Sequence, residues 1–296
     1  NLPSLVAFSF FAYSSLLFIV YYCLDIFLEE ESDDARTGEI RGVYFTIMNA
    51  GIALGPLLLS ALHIGEDLRR IYQTSSVLLL IPVAIACYIL LTRKHVHKVE
   101  EQGDRRLPFR RWWQTRSIRA VTLAKVVLEV FFAVMVIYTP IYLHNILGFE
   151  WGDLGIIFAV ALVPFVIFEW PAGELADRFW GEKEMMSVGF FITGTTLLIM
   201  PFLGKVFAAW LVILFLSRVG ASLVEIMTET YFFKKIDVSD TGLLSIFRLA
   251  RPVGIILGSA IGAASLSLFS FEKLFFVIAL IVFFGMKESL HLRDTL

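Results

Sequence analysis

Cysteine is nearly absent from this chain: Cys23 and Cys87 are the only two, and both sit inside apolar runs. A disulfide framework needs several cysteines and a thiolate metal centre needs closely spaced ones, so neither is expected. Histidine is scarce as well, and the pair His95 and His97 has no third ligand nearby, so no metal is expected. No His-Glu-x-x-His helix, nucleophile elbow or glycine-rich phosphate loop occurs, which leaves catalysis without a home and implies no cofactor. Charged residues make up only 18% of the chain and sum to a formal −2, so no nucleic-acid partner is suggested. The acidic run Glu29, Glu30, Glu31, Ser32, Asp33, Asp34 lacks the fixed geometry of a Ca²⁺ loop and reads as a solvated loop.

Apolar residues are what the chain has in excess. They fill 58% of its 296 positions, and the mean hydropathy of +0.77 is too high for a soluble domain. A helix needs about 20 apolar residues to cross the hydrocarbon core, and a signal peptide supplies only one short run. Here such runs recur at 3–23, 42–63, 71–91, 117–146, 152–172, 186–204, 206–232, 242–265 and 270–286. The expectation is an all-α, multi-pass membrane protein surrounded by lipid. The segment from Arg93 to Arg119 holds Arg93, Lys94, Lys98, Arg105, Arg106, Arg110, Arg111 and Arg116 against Glu100, Glu101 and Asp104, which places it in the cytoplasm. Alternation then puts Glu150 outside and the end beyond Lys287 inside, in a cytoplasmic membrane; only Arg69 and Arg70 argue against this.

Ionisable residues inside the spans cost at least about 2.5–3.5 kcal/mol each near the bilayer centre unless paired or hydrated. Arg218, Ser222, Glu225 and Glu229 recur at steps of four, three and four, which sets them on one helical face as a polar stripe that cannot meet lipid. Lys125 and Glu129 lie on another span, Arg248 and Arg251 on a third, and Glu169 near the inner end of a fourth. At about 1.5 Å of rise per residue, Glu225 and Arg248 reach similar depths and are expected to pair, with Glu129 and Arg251 deeper. Lys125, Glu129, Arg218, Glu225, Arg248 and Arg251 are the candidates for substrate binding or proton coupling. Ion pairs that only fix helix packing are the alternative reading.

Gly173-Glu174-Leu175-Ala176-Asp177-Arg178, followed by Gly181 and Lys183, resembles the signature loop of the major facilitator superfamily, a short cytoplasmic turn between two membrane helices. Phe179 and Trp180 put one extra residue before Gly181, and Glu182 replaces a usual basic residue. The resemblance implies a secondary transporter moving a small solute by alternating access, coupled to protons, monomeric, and not an enzyme. It also implies a conformational latch of Gly173, Asp177, Arg178, Gly181 and Glu229. In it Asp177 accepts from N–H groups at a neighbouring helix start, and Arg178 reaches Glu229 or, failing that, Glu225. Gly51, Gly55 and Pro56 partly resemble the family's proton-antiporter motif, although Ile47, Leu59 and Ser60 depart from it and close packing of small residues explains the glycines equally. Asn49 to Pro56 reads like Pro252 to Ser259 at an offset of 203 residues. The same offset places a first-half copy of the signature loop about 30 residues before Asn1. The expectation is therefore helices four to twelve of a twelve-helix carrier: a partial half at 1–91, a cytoplasmic central loop at 92–116 and a six-helix half at 117–296. A rival reading is a non-transporting membrane scaffold or sensor, or an inactive transporter fragment.

Overall fold

The computed structural model describes residues 36–61, 108–236 and 240–292, with isolated positions between 20 and 88. Helix α1 is Thr37–Ala61, the short α2 is Pro108–Gln114, and α3 is Arg116–Ile141, extended by a wide turn at Tyr142–Ile146. Next come α4, Trp151–Leu175, with a wide turn at Ala176–Trp180, and α5, Glu182–Ile199, tightened at Met200–Phe202. The rest is α6, Phe207–Phe233; α7, Thr241–Arg248; α8, Ala250–Leu268; and α9, Phe271–Leu290. The described residues contain helix and connecting turns but no strand, as an apolar solvent demands, since a helix satisfies its own backbone polar groups.

Among the described residues, five helical stretches are long and apolar enough to cross a membrane: Arg116–Ile146, Trp151–Trp180, Glu182–Phe202, Phe207–Phe233 and Thr241–Leu268. The protein is thus a multi-pass membrane protein. The span expected at 3–23 falls almost wholly outside the described residues, and most of 71–91 does too, its described positions being helical. The expected run 242–265 is divided at Leu249 into α7 and α8, a break that sets Arg248 at a helix end.

Helix α3 is the most enclosed of these stretches, whereas α4 and α8 turn most of their surface outward, where lipid replaces water. Its neighbours are α8, α9 and α6, while α6 is also flanked by α5 and α4, and α1 lies along α4. Gly254, Gly258 and Gly262 form one row on α8, and a side chain on them would strike Glu129, Ala133 and Tyr138 of α3. That row is what lets the two backbones approach. Tyr138 donates its hydroxyl to the Ser259 carbonyl across the same contact at 2.8 Å. Near the basic end, Arg111 of α2 forks onto Asp240 just before α7.

Candidate functional site

Two faces meet between α3 and α6. Lys125, Glu129 and Phe132 recur on α3 at steps of four and three, and Arg218, Ser222, Glu225 and Glu229 recur on α6. The helices run antiparallel, so Lys125 meets Glu225 at one level and Phe132 meets Arg218 at another. The ammonium of Lys125 is buried and lies 3.7 Å from Glu129, 3.6 Å from Glu225 and 3.2 Å from Glu229. Glu229, fully buried, also accepts both Nη groups of Arg248, at 2.8 and 2.9 Å. Arg41 of α1, equally buried, stacks on Phe233 and adds a further positive charge facing Glu229.

These placements revise one expectation. Arg248 pairs with Glu229 and not with Glu225, because the break at Leu249 leaves Arg248 on the short helix α7, level with Glu229. Glu225 is served by Lys125 instead. Arg251 is exposed on α8, one turn before Gly254, which abuts Glu129, and its charge reaches Glu225. Arg218 is buried over the rings of Phe131 and Phe132, with centroid distances of 5.2 and 5.7 Å.

The signature stretch forms a second locus. Gly173 lies inside α4, the helix widens at Ala176–Trp180, and Gly181 breaks it at φ +73°, a conformation glycine adopts without strain. Asp177 accepts the backbone N–H of Glu39, in the first turn of α1, at 2.9 Å. This is where an anion is favoured, beside orphan N–H groups and the positive end of the dipole. Lys234, just past α6, bridges Asp177 at 2.8 Å and Glu182 at 2.6 Å. Burial disfavours its charge, but hydrogen bonds and attraction from Asp177 and Glu182 outweigh that, so its pKa stands above the ordinary lysine value. Lys234 is therefore charged near neutral pH.

Arg178 takes a different partner from the one expected: it reaches Glu174 at 3.0 Å, with about two thirds of its side chain exposed. The widened turn sends it back along its own helix, and Glu229 is already bound by Arg248 and Lys125. Among the described residues a Cβ on Gly51 would meet nothing within 4 Å, and the surroundings of Gly55 and Pro56 lie outside the description. Close approach occurs at Gly38 and Gly42 instead: a Cβ on Gly173 would lie 2.1 Å from the Gly38 carbonyl oxygen, and one on Gly42 would lie 2.8 Å from that of Glu169.

Glu169, also on this α1–α4 contact, is a site residue that helical periodicity did not single out. It is fully buried, and both its oxygens accept from the side-chain amide of Asn49, at 3.1 and 2.9 Å. Its position near a span end looked peripheral; the signal available was an acidic residue inside an apolar run without a partner on its own helix.

Antiparallel helices around a buried ionic cluster, with a charge-clamped junction at one end, define a multi-pass helical membrane protein. A family model described as Major Facilitator Superfamily matches residues 152–287, so that part of the chain is similar to that superfamily. The fold resembles the crystal structure of a bacterial homologue of the iron transporter ferroportin in its outward-facing state. The TM-score is 0.71 at 16% identity, covering 88% of this chain and 65% of that one. The chain thus spans slightly less than two thirds of that solved protein, and the likeness is one of fold. No curated protein matches the sequence.

Proposed function

We propose that this protein is a secondary carrier that moves a small solute by alternating access and couples the movement to protons through the Lys125 cluster. The observation that carries the reading is one ammonium shared by three carboxylates from two helices. Glu229 is held independently by Arg248, whereas Glu129 and Glu225 lean on Lys125 at longer range. Protonating Glu225 or Glu129 removes one of the competitors for Lys125, so the proton changes which groups bind the cation and hence which helix arrangement is favoured. With the basic segment cytoplasmic, the α1–α4 contact and the Asp177–Lys234–Glu182 clamp close the cytoplasmic side, and the solute path opens on the other. In this reading residues before about 91 belong to one half, 92–116 to the central loop and 117–296 to the other half, in a monomer in the cytoplasmic membrane.

The test is proton movement in pyranine-loaded proteoliposomes containing the full-length protein, on addition of a panel of organic solutes and of ferrous iron, the latter because of the structural neighbour. A solute-dependent flux lost in Glu225→Gln is expected. Its direction separates symport from the antiport that Gly51, Gly55 and Pro56 suggested. If folded protein moves no solute and no proton, the scaffold or sensor reading replaces this one.

A further inference from the structure

Arg218 is a cation at the centre of its span. It lies 11 residues after the start of α6 and 15 before its end. Only 6% of its surface is exposed, and its Nη1 has no hydrogen-bond partner. It forms no ion pair among the described residues: the next acid on its face, Glu225, acts on it only through space, about 10 Å further along the axis, and is held by Lys125. Among the described residues its close company is aromatic. The guanidinium sits over Phe131 and Phe132, and Phe132 in turn meets Phe165 of α4 with centroids 5.8 Å apart. Two rings offset part of the cost of burying the charge but satisfy none of its N–H donors. A planar fork of donors beside stacked rings matches a carboxylate carried on an aromatic ring.

We propose that Arg218 is the recognition group for a small aromatic organic anion, whose carboxylate takes the free guanidinium donors while its ring packs into the Phe131, Phe132 and Phe165 cluster. The proposal rests on the carrier reading and names its substrate class. The anion fills the charge deficit at Arg218, whereas protonation acts two helical turns away at the Lys125 cluster.

The experiment uses full-length protein in lipid nanodiscs at pH 7, with radiolabelled benzoate as probe and benzamide as its neutral isostere, read by equilibrium dialysis. Benzoate is expected to bind about tenfold or more tightly than benzamide, the worth of a charge-assisted bond. Arg218→Met should bring benzoate down to the benzamide level, and Arg218→Lys should keep part of the preference. Thermal unfolding without ligand separates recognition from architecture. Removing a buried charge that no described carboxylate pairs with should leave the Tm of Arg218→Met unchanged or raised, while a purely structural cation–π anchor predicts a fall. Equal binding of benzoate and benzamide, or undiminished benzoate binding in Arg218→Met, would overturn the proposal. If Arg218→Met does not fold, Arg218→Lys decides: a weakened preference for benzoate supports the site and an unchanged affinity refutes it. Because binding is read without a gradient, its failure leaves the proton-flux result standing, and absent flux with benzoate still bound would count against the carrier reading alone.

Discussion

Glu225 and Glu229 lie one helical turn apart on the same face, yet their surroundings give them different roles. Glu229 is buried between two cations, so Glu229→Ala leaves Arg248 and Lys125 with an unmatched charge. It should lower stability by about 3–5 kcal/mol, seen as a marked drop in Tm of the purified protein. Glu225→Gln is expected to be much milder, because Lys125 keeps Glu129 and Glu229, and to act on coupling instead; equal losses of stability in the two variants would contradict this division. Asn49→Leu strips Glu169 of both its hydrogen bonds and should cost about 1–3 kcal/mol, the penalty for a buried polar group left unsatisfied. Arg178→Ala, by contrast, breaks an exposed pair worth about 0–1 kcal/mol and should be nearly silent in the same assay.

The junction of α1 with α4 is a property of elements. Backbone meets backbone at Gly38, Gly42 and Gly173, so a side chain there has no volume to occupy and the helix ends must separate. Gly173→Val should favour the state in which this end is open. A cysteine at the buried Thr37 should then be labelled several-fold faster than in the parent, whereas unchanged labelling would show that the contact does not gate access. Asp177→Asn should act in the same direction by weakening both the Glu39 cap and the Lys234 bridge. The Lys234 charge does not change across neutral pH: with its pKa raised, its contribution is fully present below the ordinary lysine value and is lost only as pH rises through the higher folded one. Any pH dependence of gating between 5 and 8 should therefore survive Lys234→Met; if it vanishes, the clamp is the sensor.

For the whole molecule, orientation is the testable statement. A cysteine at Glu150, in the turn between α3 and α4, should react with an impermeant reagent added outside intact cells, and one at Lys98 only after permeabilisation. The reverse pattern would invert every assignment of inner and outer sides, including the side on which the Asp177 clamp closes. Membrane residence, the helical class, the bounds of the spans from 116 onward to within a few residues and the similarity to the superfamily were all legible in the chain, because hydrophobic length and the Gly173–Asp177–Arg178 spacing are local signals. The polar stripe on α6 was legible for the same reason, since a step of three or four residues fixes a face whatever packs against it.

Partner choice was not local. Whether Arg248 meets Glu225 or Glu229 depended on a helix break at Leu249, and whether Arg178 reaches inward depended on how widely the turn at Ala176–Trp180 opens. The sequence by itself determined that this chain lies in a membrane as helices and which residues are too polar to face lipid, since both follow from transfer free energy and helical periodicity. Only the tertiary structure decided which charges neutralise one another, that Glu169 belongs with Asn49, and that Arg218 forms no ion pair among the described residues, because distances of 3 to 4 Å between different helices are set by packing and not by any one segment.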